Sequence, residues 1–159
     1  MFTVAEFVDR SQQLKRMLYH FTDARNIEGI RQHGLLPTSV LKATSLPMVT
    51  GGDLTSLSID AHKGLDSLIS LSFCVSHPMS HVAQEEGRID QLRILQVCPT
   101  VLLRDGTLVA NQVATANDAV IERPDVMLPQ LDFVAAYERL DWRTRKDKPG
   151  VQRLKSGKH

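Results

Sequence analysis

Residues 18–37 read LYHFTDARNIEGIRQHGLLP, and this stretch decides the fold. Its first part is typical of a short strand that ends in the polar residues His20 and Thr22. Either Thr22 or Asp23 is placed to cap a following helix through a side-chain oxygen. Gly34 suits the left-handed residue that commonly ends a helix. We therefore expect a strand–helix unit that holds a histidine and a hydroxyl rigidly at the end of the strand.

The composition is that of a globular protein, with 42% hydrophobic residues and 19 basic against 18 acidic residues in a chain of 159. This length predicts one domain over 1–159. No apolar run approaches the roughly 18 residues of a membrane span, and Glu6 and Asp9 lie where a signal peptide would be hydrophobic. We expect a cytoplasmic protein with no membrane partner. Cys74 and Cys98 lie in apolar segments, which predicts two reduced, buried thiols.

Local signals predict several short helices. Thr3-Val4-Ala5-Glu6 is a candidate capping box for a helix that ends near Leu14, with Leu14 on its inward face. Pro78 is expected to open a second helix that ends at Gly87. Asp132 is a candidate cap for a last helix that contains Phe133 and Tyr137.

Alternation and turn residues predict the strands. Apolar and small polar residues alternate over 67–74, which predicts a strand with one apolar face. Leu92–Val97 is expected to be a strand buried on both faces, apart from two polar residues. Asp105-Gly106 marks a turn before a strand over 107–110. Between Leu36 and Asp66, scattered Pro, Gly, Ser and Thr predict a long loop that either covers a ligand or is disordered.

Several short pieces occur in an order that resembles the DarT family of NAD-dependent DNA ADP-ribosyltransferase toxins. They are Leu18-Tyr19-His20-Phe21-Thr22, Asn26-Ile27, Ile30, Gly34-Leu35-Leu36, Leu71-Ser72-Phe73, His77-Pro78-Met79 and Gly87-Arg88-Ile89, with a weaker match from Asp132 to Lys158. The resemblance implies an α+β, ADP-ribosyltransferase-like fold with a central split mixed or antiparallel sheet flanked by short helices.

The resemblance also implies a binding site for NAD, which is a substrate in this family, and no metal. An ADP-ribosyltransferase holds NAD bent while the glycosidic bond breaks, and it needs hydrogen bonds to the ribose and the nicotinamide amide. In the family, the histidine and threonine of the first strand contact NAD, which maps onto His20 and Thr22. Asn26, one helical turn on, could reach the same ligand. The expected pocket wall consists of Ser72, Phe73 and Met79.

Two departures from the family pattern bear on catalysis. The family arginine that serves catalysis and diphosphate binding is missing from Ser56 to Leu65, where His62 and Lys63 are the basic residues. We carry these two as catalytic candidates, although a lysine lacks the bidentate fork of a guanidinium. The family glutamate follows a basic helix similar to the stretch from Val151, and no acid here is well placed to replace it. We expect either that this glutamate lies beyond His159 or that this homologue lacks it.

The resemblance implies an enzyme that modifies a base in single-stranded DNA, as the toxin of a toxin–antitoxin pair. RNA or protein acceptors stay open, as does an inactive homologue that binds NAD or nucleic acid. The basic tail 139–159 either contacts nucleic acid or is a solvated end. Its candidate contacts are Arg143, Arg145, Lys146, Arg153 and Lys155.

Two further features remain open or weak. His77 and His81 have a spacing that can hold zinc on a helix, but Pro78 intervenes and no third ligand cluster is visible, so no metal site is predicted. Arg88 either has a structural role or faces the substrate.

Overall fold

The structure is a computed structural model that describes residues 3–52, 54–131, 133 and 137. It is mixed α+β, as predicted, with short helices and two small sheets among these residues. Contacts divide the chain into two compact units. The first comprises Met1–Leu18 with Val97–His159, and the second comprises Tyr19–Gln96. The finer prediction of an ADP-ribosyltransferase-like sheet stays a prediction.

In the first unit, helix α1 spans Val4–Gln13 and begins with the predicted capping box. Thr3 Oγ1 accepts a hydrogen bond from the Glu6 amide at 3.2 Å, and the Glu6 carboxylate accepts one from the Thr3 amide at 2.8 Å. Both ends of the motif are therefore satisfied. The predicted inward position of Leu14 is wrong, because Leu14 follows the last helical turn and is 53% exposed.

An aromatic cluster forms the core of the first unit. Phe7 of α1 packs edge-on against Phe133 at 4.9 Å between ring centroids, and Tyr137 lies 5.0 Å from Phe133. Buried Ser11 is hydrogen-bonded to the Tyr137 hydroxyl at 3.1 Å and donates to the Phe7 carbonyl at 2.7 Å. Phe133 and Tyr137 are helical, as predicted, whereas the capping residue Asp132 lies outside the described residues.

The rest of the first unit is built from very short elements. Strand β3, Val109–Ala110, follows the predicted turn at Asp105-Gly106, where Gly106 has a φ of +79°. It pairs antiparallel with β4, Ile121–Glu122, and is shorter than the strand predicted over 107–110. 3₁₀ turns and a one-turn helix complete this part: Pro99–Leu103, α6 at Pro124–Met127, and Leu128–Gln130.

The second unit is organised around a two-stranded sheet. Strand β1 spans Leu18–Asp23 and is the neighbour of β2, Leu92–Val97. The prediction of strand β2 is confirmed, but its expected burial on both faces is wrong. Ile94 is 40% exposed, and no residue of β2 is fully buried.

Helices occupy much of the stretch from Leu36 to Asp66, so the predicted long loop is wrong. Pro37 adopts the extended conformation before a helix start, where its missing N–H costs nothing. Thr44 Oγ1 donates to the Val40 carbonyl at 2.7 Å, which satisfies a hydroxyl that would otherwise compete with the helix backbone. The helical elements that follow β1 are a 3₁₀ turn at Ala24–Asn26, α2 at Ile27–His33, α3 at Thr38–Thr44, α4 at Leu54–His62 and a 3₁₀ turn at Leu65–Ser67.

The strand predicted over 67–74 is also wrong. One antiparallel bridge remains, in which Tyr19 and Ser72 exchange two backbone hydrogen bonds of 2.8 Å. The Ser72 hydroxyl then accepts from the Cys74 amide at 3.1 Å and donates to the Cys74 carbonyl at 3.0 Å. This local bonding bends the chain after the bridge and prevents a longer ladder.

Helix α5, Pro78–Glu85, begins at the predicted proline. His77 is its N-cap, and Nδ1 of His77 accepts from the Met79 amide at 3.2 Å. Gly87 follows the helix with a φ of +70°, as expected for a glycine stop. Within the described residues, no helix has the length and apolar character that a membrane crossing requires.

Candidate functional site

A polar cluster lies at the end of β1, where the sequence predicted the site. Thr22 is 6% exposed, and Asn26 Nδ2 donates to Thr22 Oγ1 at 2.9 Å. The same Asn26 amide donates to the Val49 carbonyl at 2.7 Å and accepts from the Val49 N–H at 2.8 Å. Asn26 therefore binds the segment 46–52 to the end of β1, and it joins two of the predicted site residues directly.

Asp23 anchors the same corner of the second unit. Its side chain is fully buried and accepts from five N–H groups: the amide, Nε and Nη2 of Arg25 and the amides of Asp90 and Gln91. The Arg25 side chain, followed by these backbone amides, holds the pKa of Asp23 well below its usual range. Asp23 is therefore an ionised structural carboxylate with no capacity left for catalysis.

His20 lies in β1 with a defined tautomer. Its Nδ1 is 3.0 Å from the Ser70 carbonyl oxygen, which can only accept, so Nδ1 carries the proton. Burial lowers the pKa of His20, and the hydrogen bond to Ser70 offsets only part of that shift. The ring is therefore neutral near pH 7, and Nε2 is its acceptor.

The predicted site residues divide between the two sides of β1. Bridge partners point to the same side, so Ser72 lies on the side of Tyr19. Phe21 shares that side, and its ring lies 5.9 Å from the ring of His77 at the start of α5. Alternation along the strand directs His20 and Thr22 to the opposite side. The strand pairing therefore gives no support to a pocket in which Ser72 lies beside His20 and Thr22.

The remaining candidates of the second unit are more peripheral. Phe73 and Met79 are half-buried, and Met79 lies in the first turn of α5. His62 and Lys63 are exposed at the C-terminal end of α4. The five basic residues predicted to contact nucleic acid lie outside the described residues: Arg143, Arg145, Lys146, Arg153 and Lys155.

Sequence reasoning missed two charged residues of the second unit, Asp60 and Arg25, and left the role of Arg88 open. Asp60, in the stretch taken for a loop, is half-buried, and burial is the largest cause that raises its pKa, followed by the charge of Asp66. Arg25 forms the bidentate pair with Asp23. Arg88, whose role the sequence left open, binds Glu86 at 2.7 Å through Nη2, while its Nη1 is buried and meets no acceptor in the part of the chain that the structure describes. No local pattern distinguishes these residues from ordinary surface charges.

The cysteines differ from each other. Neither cysteine forms a disulfide within the described residues, but Cys98 is exposed, so the prediction of two buried thiols is wrong. Hydrogen bonds from Thr100 lower the pKa of Cys98, whereas burial raises the pKa of Cys74. Cys98 lies between the end of β2 and the 3₁₀ turn at Pro99–Leu103, where its side chain is exposed.

Beyond this cluster, two features of the chain bear on ligand binding. Among the described residues, no group of three or more His, Cys, Asp or Glu is arranged to hold a metal ion. An open recess of about 300 Å³ in the first unit has Leu102, Arg104, Arg123 and Pro124 among its lining residues. Arg123 is engaged with Asp125 at 2.8 Å.

Comparisons with known proteins return no relative. No family model, curated protein or solved structure was found that matches the chain. A function therefore has to be inferred from the residues and contacts of the chain itself.

Proposed function

We propose that the chain is an NAD-dependent mono-ADP-ribosyltransferase domain that modifies a base in single-stranded DNA, as the toxin of a toxin–antitoxin pair. One observation carries the proposal: a neutral His20 and a clamped Thr22 on the same side of β1, with Asn26 bonded to Thr22 at 2.9 Å. The ordered sequence resemblance supplies the reaction and the acceptor.

The cluster has one donor and one acceptor available for a sugar. Thr22 Oγ1 accepts from Asn26 and donates to no group among the described residues, so its hydroxyl hydrogen is available. His20 Nε2 is an acceptor, because Nδ1 holds the proton. A ribose hydroxyl both donates and accepts, so two neighbouring ribose hydroxyls match this pair. Asn26 fixes Thr22 before a ligand arrives, which lowers the entropy cost of binding.

The proposed reaction proceeds through an oxocarbenium-like transition state. The bond between ribose C1′ and the nicotinamide nitrogen breaks, and its electron pair leaves with nicotinamide. A ring or exocyclic atom of the acceptor base then bonds to C1′ and loses a proton. Burial raises the pKa of the Asp60 carboxyl, which is the direction of shift that suits a general base. Asp60 is therefore the carboxylate of the second unit to test for this role.

A second candidate function is NAD binding without turnover. It is favoured by the full engagement of Asp23, which lies next to Thr22 in sequence but accepts five hydrogen bonds from protein groups. A site with sugar contacts and no free carboxylate would bind NAD and transfer ADP-ribose slowly, because loss of one such catalytic group commonly costs about a hundredfold or more in rate.

Calorimetry and mass spectrometry separate the two functions. NAD is titrated into the chain in the calorimeter. In parallel, the chain is incubated with NAD and single-stranded DNA oligonucleotides, and mass spectrometry of the oligonucleotides detects added ADP-ribose. His33→Ala is the matched control, because His33 is exposed at the end of α2. Binding with transfer, both weakened by His20→Ala and not by His33→Ala, supports the enzyme. Binding alone supports the second function, and neither binding nor transfer overturns both.

A further inference from the structure

Arg25 has a guanidinium that is oriented by a buried partner and yet open to solvent. Its Nε donates to Asp23 Oδ1 at 2.8 Å and its Nη2 to Asp23 Oδ2 at 2.9 Å. The Asp23 side chain is fully buried, whereas the Arg25 side chain is 57% exposed. The inner edge of the guanidinium is therefore fixed by the protein, and the outer edge faces solvent.

The outer edge is a second bidentate fork. A guanidinium carries five N–H groups, and the Asp23 contact uses one on Nε and one on Nη2. The remaining Nη2 hydrogen and the two Nη1 hydrogens donate to no acceptor among the described residues. Asp90 adds to the charge environment of Arg25, but it forms no ion pair with Arg25 within the described ranges. This leaves a planar pair of donors with the spacing of two oxygens on one phosphorus or carbon.

The fixed orientation makes this fork more useful than an ordinary surface arginine. An exposed arginine loses side-chain entropy when it holds an anion, which is one reason that surface ion pairs contribute little. The contact with Asp23 has already removed that freedom. Arg25 is also adjacent to Asn26, the residue that clamps Thr22 and the segment 46–52.

A second arginine, Arg88, lies two residues before Asp90, whose amide Asp23 binds. Asp23 accepts from the Asp90 and Gln91 amides, so the turn that follows Arg88 is bound to the same carboxylate as Arg25. Arg88 Nη1 is buried and has no acceptor among the described residues. A buried unpaired donor is unfavourable, and such groups often mark a place where a ligand or ordered water binds.

We propose that the outer guanidinium edge of Arg25 binds the diphosphate of a dinucleotide whose ribose occupies the His20–Thr22 cluster. This inference rests on the proposed function for the identity of the ligand. It assigns the diphosphate contact to a residue outside the stretch from Ser56 to Leu65, where an arginine was expected and none occurs.

The test compares ligands with and without phosphate on the intact chain. Calorimetric titrations use NAD, ADP-ribose, inorganic pyrophosphate and adenosine. Arg25→Lys keeps the charge and removes the fork, and Arg25→Gln removes both. The matched control is Arg31→Gln, because Arg31 is exposed on α2 and lies 4.0 Å from Glu28. We expect Arg25→Lys to weaken ADP-ribose binding about tenfold, the equivalent of one charge-assisted hydrogen bond, with adenosine binding unchanged and Arg31→Gln close to wild type.

A measurement on the unaltered chain guards against loss of folding in the variants. The Arg25 Nε–H signal in a nitrogen-15 spectrum is assigned by its absence in Arg25→Lys, and it should shift on addition of ADP-ribose with the affinity found by calorimetry. An unmoved signal, or equal ADP-ribose binding by Arg25→Gln and wild type, overturns the inference. If NAD binds wild type and the Arg25 variants with equal affinity, the inference is overturned but the proposed function is not contradicted. Arg25-dependent ADP-ribose binding without any transfer of ADP-ribose supports the inference while it contradicts the enzyme.

Discussion

Replacement of Asn26 by alanine should destabilise the second unit strongly, because one side chain makes three hydrogen bonds. They join Asn26 to Thr22 Oγ1, to the Val49 carbonyl and to the Val49 N–H. At a net contribution of about 1 kcal/mol each, the loss is about 3 kcal/mol, a large share of the roughly 5–15 kcal/mol that keeps a protein folded. Asn26→Asp should be at least as damaging, because it places a carboxylate oxygen against the Val49 carbonyl.

Urea denaturation followed by circular dichroism measures the free energy of unfolding, and hydrogen exchange at the Val49 amide reports the clamp locally. The control is Gln32→Ala, which removes one exposed hydrogen bond, to Glu28, and should cost about 0.5 kcal/mol or less. The reasoning is refuted if Asn26→Ala unfolds within about 0.5 kcal/mol of wild type and its Val49 amide exchanges no faster.

Three further predictions follow from the structure. Burial lowers the pKa of His20 and of His77 below the ordinary 6.5. The unfolded chain therefore binds more protons below that pH, and the free energy of unfolding should fall from pH 7 toward pH 5. The double variant His20→Asn/His77→Asn should flatten that slope, and an unchanged slope would reject the assignment. The pKa of Asp23 is lowered from 3.8, so its contribution should disappear only in a separate, more acidic window. Iodoacetamide at pH 7.5 should label Cys98 faster than Cys74, since the Cys98 pKa is lowered and the Cys74 pKa is raised. Peptide mass spectrometry measures the two labelling rates, and equal rates would contradict the prediction. Gly34→Ala should cost about 1–3 kcal/mol in urea denaturation, because Gly34 has φ +79° and ψ −176°, a region almost reserved for glycine. Gly64→Ala, at φ +71° and ψ 15°, should cost about 1–2 kcal/mol. A larger loss of stability at Gly64 than at Gly34 would contradict the backbone argument.

Features set by neighbouring residues could be predicted from the sequence. The capping box at Thr3 and Glu6 satisfies its own backbone groups within one helical turn. Pro78 and Gly87 likewise mark the start and the end of α5 by their own φ preferences. Strand β1 and the cap at Asp23 are also local features.

The wrong predictions arose where a side chain competes with or extends the backbone pattern. Alternation over 67–74 is typical of a strand, but the Ser72 hydroxyl bonds to Cys74 and bends the chain instead. The Pro, Ser and Thr content after Leu36 indicated a loop, yet Pro37 precedes a helix and Thr44 bonds within it. Composition alone does not show where such residues sit relative to a helix start.

The candidate site was predicted only in part, because its decisive contacts join distant segments. Asn26 and Val49 are separated by 23 positions, and Asp23 and Asp90 by 67. No periodicity connects such pairs, so the burial of Asp23 and the resulting orientation of Arg25 became visible only in the fold. His20 and Thr22 were found because both follow from β1 itself.

The central claim is that the His20–Thr22 cluster binds NAD for transfer to a base in single-stranded DNA. It is tested most directly by mass spectrometry of a single-stranded oligonucleotide incubated with NAD and either wild type, His20→Ala or His33→Ala. We predict that wild type and His33→Ala add ADP-ribose at the same slow rate and that His20→Ala is slower by about tenfold or more. Modification by His20→Ala at the wild-type rate, or no modification by any of the three chains, would contradict the claim.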